Sequence, residues 1–478
     1  MAQKRRLTTQ QVAARLGVKP ETVYAYVSRG LLGSRRGPGG RASTFDPDEV
    51  ERLAHRRRGQ PGGPAPSAQD AAGPVYSSVT LIEGDAYHYR GVDAIALSRR
   101  YGFDEVAWWL WTGVLVPGVV FTAPDSALAA ARAAGAALPP QAGLVDRLRV
   151  AAVAAATVDP VRFDLRPHTV AATARGLIAT FVDSLPRDDP RTIGAGAFDR
   201  GASRADGGRL GDRGGTGAPG SAGDAGSAGD AGSAGDAGSA GSANLATLGS
   251  ERRTPLTSES IAARLWARLT ARPADADTVA ILDTALVLLA DHGLAASTVT
   301  ARTAASARAH PYAVVSAALG TLEGPLHGAA SGLAHRMLTD VLERGAGPVV
   351  AEHLRAGRRL PGLGHRLYRE SDPRAQVLLG LLAGVPEAAP VLAAAHAVTE
   401  TAATHLPLPA NIDLALATLS VATGMPPDAG ETIFAVARTA GWIAHALEEY
   451  DERALRVRVT GRYEGPPPPQ PLPEPSAG

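Results

Sequence analysis

Three short segments place ionisable side chains where packing alone does not demand them. They are Gly324-Pro325-Leu326-His327-Gly328, then Gly362-Leu363-Gly364-His365-Arg366-Leu367-Tyr368 running on to Asp372-Pro373-Arg374, then Asn411-Ile412-Asp413. Two imidazoles sit beside glycines, which let a backbone approach a ligand closely. One carboxylate opens an otherwise apolar helical stretch. Two imidazoles and one carboxylate suffice for proton abstraction next to a carbonyl. The carboxylate takes a proton from carbon, one imidazole stabilises the resulting enol, and the other polarises an electrophile. Each group alone also has an ordinary structural reading. A histidine can simply fill a Gly-rich turn, and Asp413 suits the positive end of a helix. The weight lies in the three together.

The elements that must hold these groups are helices. Between its low-complexity gaps the sequence reads almost wholly helical, for example over 93–114, 143–157, 169–184, 258–271, 277–291, 311–322, 328–344, 374–383, 388–404, 411–423 and 430–450. Only 75–90 and 455–464 read as extended. The expectation is an all-α body with small β elements at its edges. Two low-complexity stretches interrupt the pattern. Residues 59–74 are rich in Gly, Pro and Ala and read as a linker. Residues 187–255 contain Gly-Ser-Ala-Gly-Asp-Ala three times between Gly220 and Ala237. Such a sequence cannot bury enough apolar surface to offset its ordering entropy, so it reads as a disordered insertion. Residues 466–478 form a Pro-rich tail.

Composition bounds the rest. A chain of 478 residues, 45% hydrophobic, is too long for one ordinary core. It has no cysteine, which excludes disulfides, thiolate metal sites and a thiol nucleophile. No apolar run reaches the ~18 residues that span a bilayer. The first residues are basic and then polar, without the apolar centre of a secretory signal, so a cytoplasmic location is expected. The net charge of +1 is unevenly spread. Residues 1–58 hold 13 Lys/Arg against 5 Asp/Glu, and the remainder holds 35 against 42. A basic module on an acidic body points to an anionic polymer as partner of the first part only.

That module, 1–58, reads as helix, turn, helix and basic hairpin. Thr8-Thr9-Gln10-Gln11 leads into a capped amphipathic helix, Gly17-Val18 makes the turn, and Pro20 opens a second helix. Ser34-Arg35-Arg36-Gly37-Pro38-Gly39-Gly40-Arg41 is the hairpin candidate, and a third helix starts near Asp46. The pattern resembles the winged helix-turn-helix of the MerR and excisionase-like families. That resemblance implies double-stranded DNA as partner. Lys19, Thr22 and Tyr24 of the second helix would reach the major groove, and Arg35, Arg36 and Arg41 the phosphates. The alternative is a small protein-docking bundle with a solvated basic face.

The body is similar to the citrate synthase family over about 75–185 and 256–465. To the three segments above it adds Ile82-Glu83-Gly84-Asp85-Ala86-Tyr87-His88-Tyr89-Arg90-Gly91, Phe103-Asp104-Glu105-Val106-Ala107, and Phe434-Ala435-Val436-Ala437-Arg438-Thr439-Ala440-Gly441-Trp442-Ile443-Ala444-His445. The resemblance implies an all-α fold of large and small helical domains within 75–465, the small one about 330–425. It implies an acyltransferase that condenses acetyl-CoA, oxaloacetate and water to citrate and CoA. Asp413 would be the base, His327 would stabilise the enol, and His365 would polarise the oxaloacetate ketone. His292, Arg374, Arg438 and Arg458 would bind oxaloacetate, Arg458 from across a homodimer with shared sites. Arg366 and Arg369 are candidates for CoA phosphates. No metal and no cofactor beyond acyl-CoA is implied. Gly293 replaces the family's usual Glu, Val459 its Pro, and Ala329-Ala330-Ser331 its Gly-Ala-Asn. The changes within 329–331 bear on acyl preference, so propionyl-CoA giving 2-methylcitrate stays open. So does a DNA-binding regulator that uses the body as a metabolite sensor.

The basic module generates the first prediction. The protein should bind duplex DNA with marked salt dependence, because counterion release dominates phosphate contacts. Replacing Arg35, Arg36 and Arg41 with Ala should weaken binding and flatten its salt slope in a fluorescence-anisotropy titration. An unchanged slope removes these arginines from any DNA contact.

Overall fold

The computed structural model describes residues 7–16, 18–28, 32–36, 43–47, 49–50, 75–187, 255–324, 327–368, 370–405, 407–457 and 464–465. Arg41, Arg369, Arg458, the linker, the repeats and the Pro-rich tail lie outside them.

The N-terminal module runs β1 (Leu7–Thr8), α1 (Thr9–Leu16), α2 (Pro20–Ser28), β2 (Ser34–Arg36) and β3 (Ser43–Phe45). The strands form an antiparallel sheet in the order β1-β3-β2, with Arg35 opposite Thr44. Thr8 and Gln11 cap α1 reciprocally, each backbone N–H donating to the other's side chain at 2.9 and 3.4 Å. The buried positions of α1 are Val12, Ala13 and Leu16, one face of the helix, and they share a core with Val23, Leu32, Phe45 and Val50. Lys19 and Tyr24 are exposed on or beside α2, and Thr22 is half-buried.

The body opens with a three-stranded antiparallel sheet, β4 (Thr80–Glu83), β5 (Ala86–Tyr89) and β6 (Val92–Asp93). Thr80 pairs with Tyr89 and Ile82 with Tyr87. Tyr87 and Tyr89, two apart on β5, are both buried, as period-2 alternation requires. Helices then follow in order: α3 (Ala94–Arg100), α4 (Phe103–Thr112), α5 (Asp125–Ala136), α6 (Leu144–Val158), α7 (Pro167–Ser184), α8 (Ile261–Leu269), α9 (Ala276–Leu289), α10 (Ala296–Ser306), α11 (Pro311–Leu322), α12 (Ala330–Arg344), α13 (Ala346–Arg355), α14 (Pro373–Leu382), α15 (Ala389–Ala403), α16 (Ile412–Ala422) and α17 (Ala429–Asp451). The body is all-α apart from its small sheet, as its pattern predicts. Among the described residues no single helix is long and apolar enough to cross a membrane.

Two helices form the axis of the core. α9 is buried on every face from Val279 to Leu289, as an all-apolar helix must be. α17 is buried from Thr432 to Ala446, and its Ala435, Ala437, Ala440, Gly441 and Ala444 let neighbours approach closely. Trp266 and Trp442 are the largest side chains fully enclosed.

The structure corrects the predicted elements in one place. The single helix expected over 93–114 is two, broken at Gly102. The Gly102 N–H turns to the Glu105 carboxylate at 2.9 Å and that of Phe103 to Asp283 at 3.0 Å, which caps a new helix start. Helices α5, α10 and α13 fall where the sequence reads as helical but carries little apolar period. Alanine on every face hides the period in α5, Thr and Ser give α10 low intrinsic propensity, and Gly347-Pro348 interrupts the sequence pattern of α13. Their helicity follows from packing on neighbouring helices.

At Gly441 the fold leaves no room for a side chain. Its N–H donates to the Ala290 carbonyl at 2.9 Å, and an added Cβ would collide with that oxygen and with the Asp291 carboxylate. Gly441→Ala should therefore lower stability by roughly 1–3 kcal/mol, the usual cost of overpacking. Gly135→Ala in α5 meets nothing within 4 Å and should be neutral or stabilising by up to ~1 kcal/mol. Thermal unfolding of the two variants checks the contrast, and equal melting temperatures would contradict it.

Candidate active site

The loop carrying His365 is fastened to the start of α16, which carries Asp413. Leu363 and Ala410 form an isolated antiparallel bridge. The Gly364 N–H donates to the Pro409 carbonyl at 2.7 Å, and Asn411 N–H to the Gly362 carbonyl at 2.9 Å. The Asn411 side-chain amide donates to the Gly364 carbonyl at 2.8 Å, while its oxygen accepts from the Asp413 N–H at 2.9 Å and caps α16. Gly362 has φ +80°, and a Cβ there would press on the backbone of Leu414 at 3.0 Å, so glycine is required on both counts. The result holds an imidazole and a carboxyl, 48 residues apart in sequence, on one framework.

Asp372 adds a second fastening. It caps α14, accepting from the Arg374 N–H at 3.1 Å, and grips the Arg374 guanidinium through two bonds of 2.9 and 2.8 Å. Its Oδ2 also accepts the Ile412 N–H at 3.1 Å. Both members of the ion pair are buried. Burial alone would raise the Asp372 carboxyl, but Arg374 outweighs it and holds it below the ordinary carboxylate range.

His292, His365 and Tyr368 pack into an aromatic cluster beside Arg374. The two imidazoles meet edge-to-face at 5.3 Å, His365 stacks on Tyr368 at 4.8 Å, and His292 Nε2 lies 2.8 Å from the Tyr368 hydroxyl. The Arg374 guanidinium lies 5.5 Å from the Tyr368 ring centre. Burial, then Arg374, lowers the His365 pKa to about 4, and burial with Arg374 and Arg438 takes His292 well below its usual range. Both imidazoles are therefore neutral at physiological pH. His365 Nδ1 accepts the backbone N–H of Leu367 at 3.1 Å, so its single proton is on Nε2.

His327 belongs to an adjoining layer. Its Nε2 lies 2.8 Å from the Ser297 hydroxyl, which also receives the Trp442 indole N–H at 3.2 Å. Among the described residues the hydroxyl proton of Ser297 has no acceptor but His327 Nε2. The His327 proton is thus on Nδ1. Burial, then Arg438, lowers this imidazole to about 4. The link to Arg438 runs through Phe434, whose ring meets His327 edge-on at 5.9 Å and lies 4.4 Å from the guanidinium carbon.

Asp413 and Arg438 complete the arrangement. Burial, opposed by Arg374 and assisted by Asp372, raises the Asp413 carboxyl to about 7. Arg438 is enclosed, donating Nε–H to the Leu289 carbonyl at 2.9 Å. Burial and the nearby Arg374 lower its pKa, against Asp291 and Tyr89. Two buried guanidiniums with one closely paired carboxylate leave a positive excess suited to a small dianion.

The expected residues thus divide. His292, His365, Asp413 and Arg374 share one framework, and His327 joins it through Arg438. Arg366 is exposed on the loop after His365. Arg369 and Arg458 fall outside the described residues. Sequence reasoning missed Asp372, Tyr368, Ser297 and Asn411. Asp372 was findable, since Asp-Pro-x is a helix-start signature. Nothing local marks Ser297.

Residues 239–458 match the family described as citrate synthase, C-terminal domain, and residues 6–58 match helix-turn-helix domains. A citrate synthase of Haloferax volcanii is 40% identical over 38% of this chain and 49% of its own length. Citrate synthase 2 of Bacillus subtilis is 36% identical over 38% and 50%. The chain thus spans about half the length of these curated relatives. Among solved structures, the citrate synthase of Thermoplasma acidophilum, a ternary complex with carboxymethyl coenzyme A and oxaloacetate, superposes with a TM-score of 0.59. It is 21% identical and covers 84% of this chain and 96% of its own. That of Thermotoga maritima gives 0.58 at 22% identity, covering 84% and 95%. The fold is that of citrate synthases, behind a helix-turn-helix domain.

The raised Asp413 carboxyl predicts a stability signature. The folded state favours its neutral form, whereas the unfolded carboxyl ionises near 3.8. Folding is therefore penalised increasingly as pH rises from about 4 to about 7. Asp413→Asn removes that penalty. The variant should melt above wild type at pH 8, and the gain should vanish by pH 4. A gain equal at both pH values would point to another cause.

Proposed function

We propose that this chain, a citrate synthase fold with that family's C-terminal domain, condenses acetyl-CoA with oxaloacetate and water to give citrate and CoA. Asp413 takes a proton from the acyl methyl group. A carboxyl poised at about 7 matches the ideal for a general base at neutral pH. The enol oxygen is stabilised by the Nδ1–H of neutral His327. The enol carbon then bonds to the ketone carbon of oxaloacetate, while His365 Nε2–H donates to the ketone oxygen and protonates the alkoxide. Water finally cleaves the thioester C–S bond, leaving citrate and the CoA thiol. Arg374 and Arg438 clamp the oxaloacetate carboxylates, with His292 as a further contact. The observation that carries this reading is the pairing of a near-neutral carboxyl with two neutral imidazoles whose protons are fixed by backbone and Ser297 partners.

The remaining assignments belong to the same reading. The protein acts in the cytoplasm as a homodimer, with Arg458 completing the site of the partner subunit. Arg366 and Arg369 serve the CoA phosphates, and residues 1–58 bind double-stranded DNA. The helix-turn-helix match favours a second reading, a regulator whose body senses the metabolite.

A thiol-release assay separates them. Purified protein with oxaloacetate should release thiol from acetyl-CoA, and Asp413→Asn should lose at least ~10²-fold in turnover, the scale of general base catalysis. Faster release from propionyl-CoA would make it a 2-methylcitrate synthase. No release with either thioester would leave the sensor reading.

A further inference from the structure

Directly before His292 stands a buried carboxylate that the chemistry above does not use. Asp291 ends the turn after α9 and is fully enclosed. Its Oδ2 accepts three bonds: from the Thr80 hydroxyl at 2.5 Å, the Gly293 N–H at 2.9 Å and His445 Nε2 at 3.2 Å. Its backbone is held as well, the carbonyl accepting the Tyr89 hydroxyl at 3.1 Å. The neighbouring Ala290 carbonyl accepts Gly441. One turn is thus pinned by the leading sheet on one side and by α17 on the other.

His445 is oriented for this bond. Arg302, which can only donate, lies 2.9 Å from His445 Nδ1. Nδ1 therefore accepts, and the Nε2 proton is directed at Asp291. Arg302 is fixed in turn by Glu448 at 2.7 Å and Glu449 at 3.1 Å. Ser78 donates to Glu448 through both its N–H and its hydroxyl. Buried ion networks of this kind are poor sources of stability, because desolvation offsets most of their attraction. Apolar packing of α17 on α10 would hold the fold as well. What the network does fix is the direction of the next side chain. His292 leaves this turn to meet Tyr368 at 2.8 Å and His365 edge-on.

We infer that Thr80 and His445 are positioning residues for His292, acting through the Asp291 carboxylate. The part concerning substrate rests on the proposed role of His292 in oxaloacetate binding. The first strand of the body thereby sets the geometry of the dicarboxylate site.

The test uses the full chain with Thr80→Val, which keeps shape and removes the donor, Thr80→Ser, which restores it, and His445→Phe, which keeps the ring without its nitrogens. Thr80→Val and His445→Phe should raise the oxaloacetate KM about tenfold, the scale of one charge-assisted hydrogen bond. The acyl-CoA KM should stay within roughly twofold, and Thr80→Ser should match wild type. A readout without substrate accompanies these. The imidazole ¹⁵N signals of His292, identified by their loss in His292→Gln, should move in Thr80→Val and not in Thr80→Ser. Should His445→Phe fail to fold, the Thr80 pair decides. A Thr80→Val protein that melts earlier yet keeps its KM and its His292 signals would overturn the inference. If wild type releases no thiol, the proposed reaction fails, while the ¹⁵N shifts still decide whether Thr80 positions His292.

Discussion

The carboxylate of Asp372 is the contact on which the site depends. It starts α14, neutralises Arg374 through two bonds, and accepts the first amide of α16. Two segments 40 residues apart in sequence meet on two oxygens. Removing one partner of such a buried pair typically costs ~3–5 kcal/mol, because the other charge is left uncompensated. Here the loss would also free Arg374 from the start of α16, while the His365 loop would stay fastened to α16 through Leu363, Gly364 and Asn411. Asp372 further sets the field around it, helping to raise Asp413 and opposing the depression of His365.

That field, together with burial, explains how four ionisable groups coexist in a positive site. Burial first, and then the two enclosed guanidiniums Arg374 and Arg438, make a second proton on the nearby imidazoles unfavourable. His292, His327 and His365 are accordingly neutral, and neutral imidazoles donate without carrying charge. A site with positive excess would ordinarily favour an ionised carboxyl. Burial of Asp413, with Asp372 close by, works against this and leaves the group near neutrality. A small dianion, such as the dicarboxylate of the proposed reaction, is the natural complement of the charge left over.

Much of this was legible from residue order. His327 and His365 stood out because glycines flank them, Asp413 because it opens an apolar helical stretch, and the helical period placed most of the body. What was not legible depends on tertiary contact. Ser297 lies in α10, a Thr-rich stretch with little helical signal, and becomes relevant only when α10 and α17 bring it between His327 and Trp442. The break at Gly102 depends on Asp283, 181 residues away. Tyr368 stood inside a quoted motif, yet its part in joining His292 to His365 follows from stacking that no spacing reveals. Helices rich in alanine on every face carry no period to detect.

The central claim is that Asp413 removes a proton from carbon while arginines hold a dicarboxylate beside it. Malate offers both carboxylates but no ketone to attack, so it isolates that step. The measurement is deuterium exchange from heavy water into the methyl group of acetyl-CoA, with malate bound, followed by mass spectrometry. The account predicts exchange catalysed by wild type and lost in Asp413→Asn, with malate affinity retained. Exchange that persists in Asp413→Asn at the wild-type rate would contradict it.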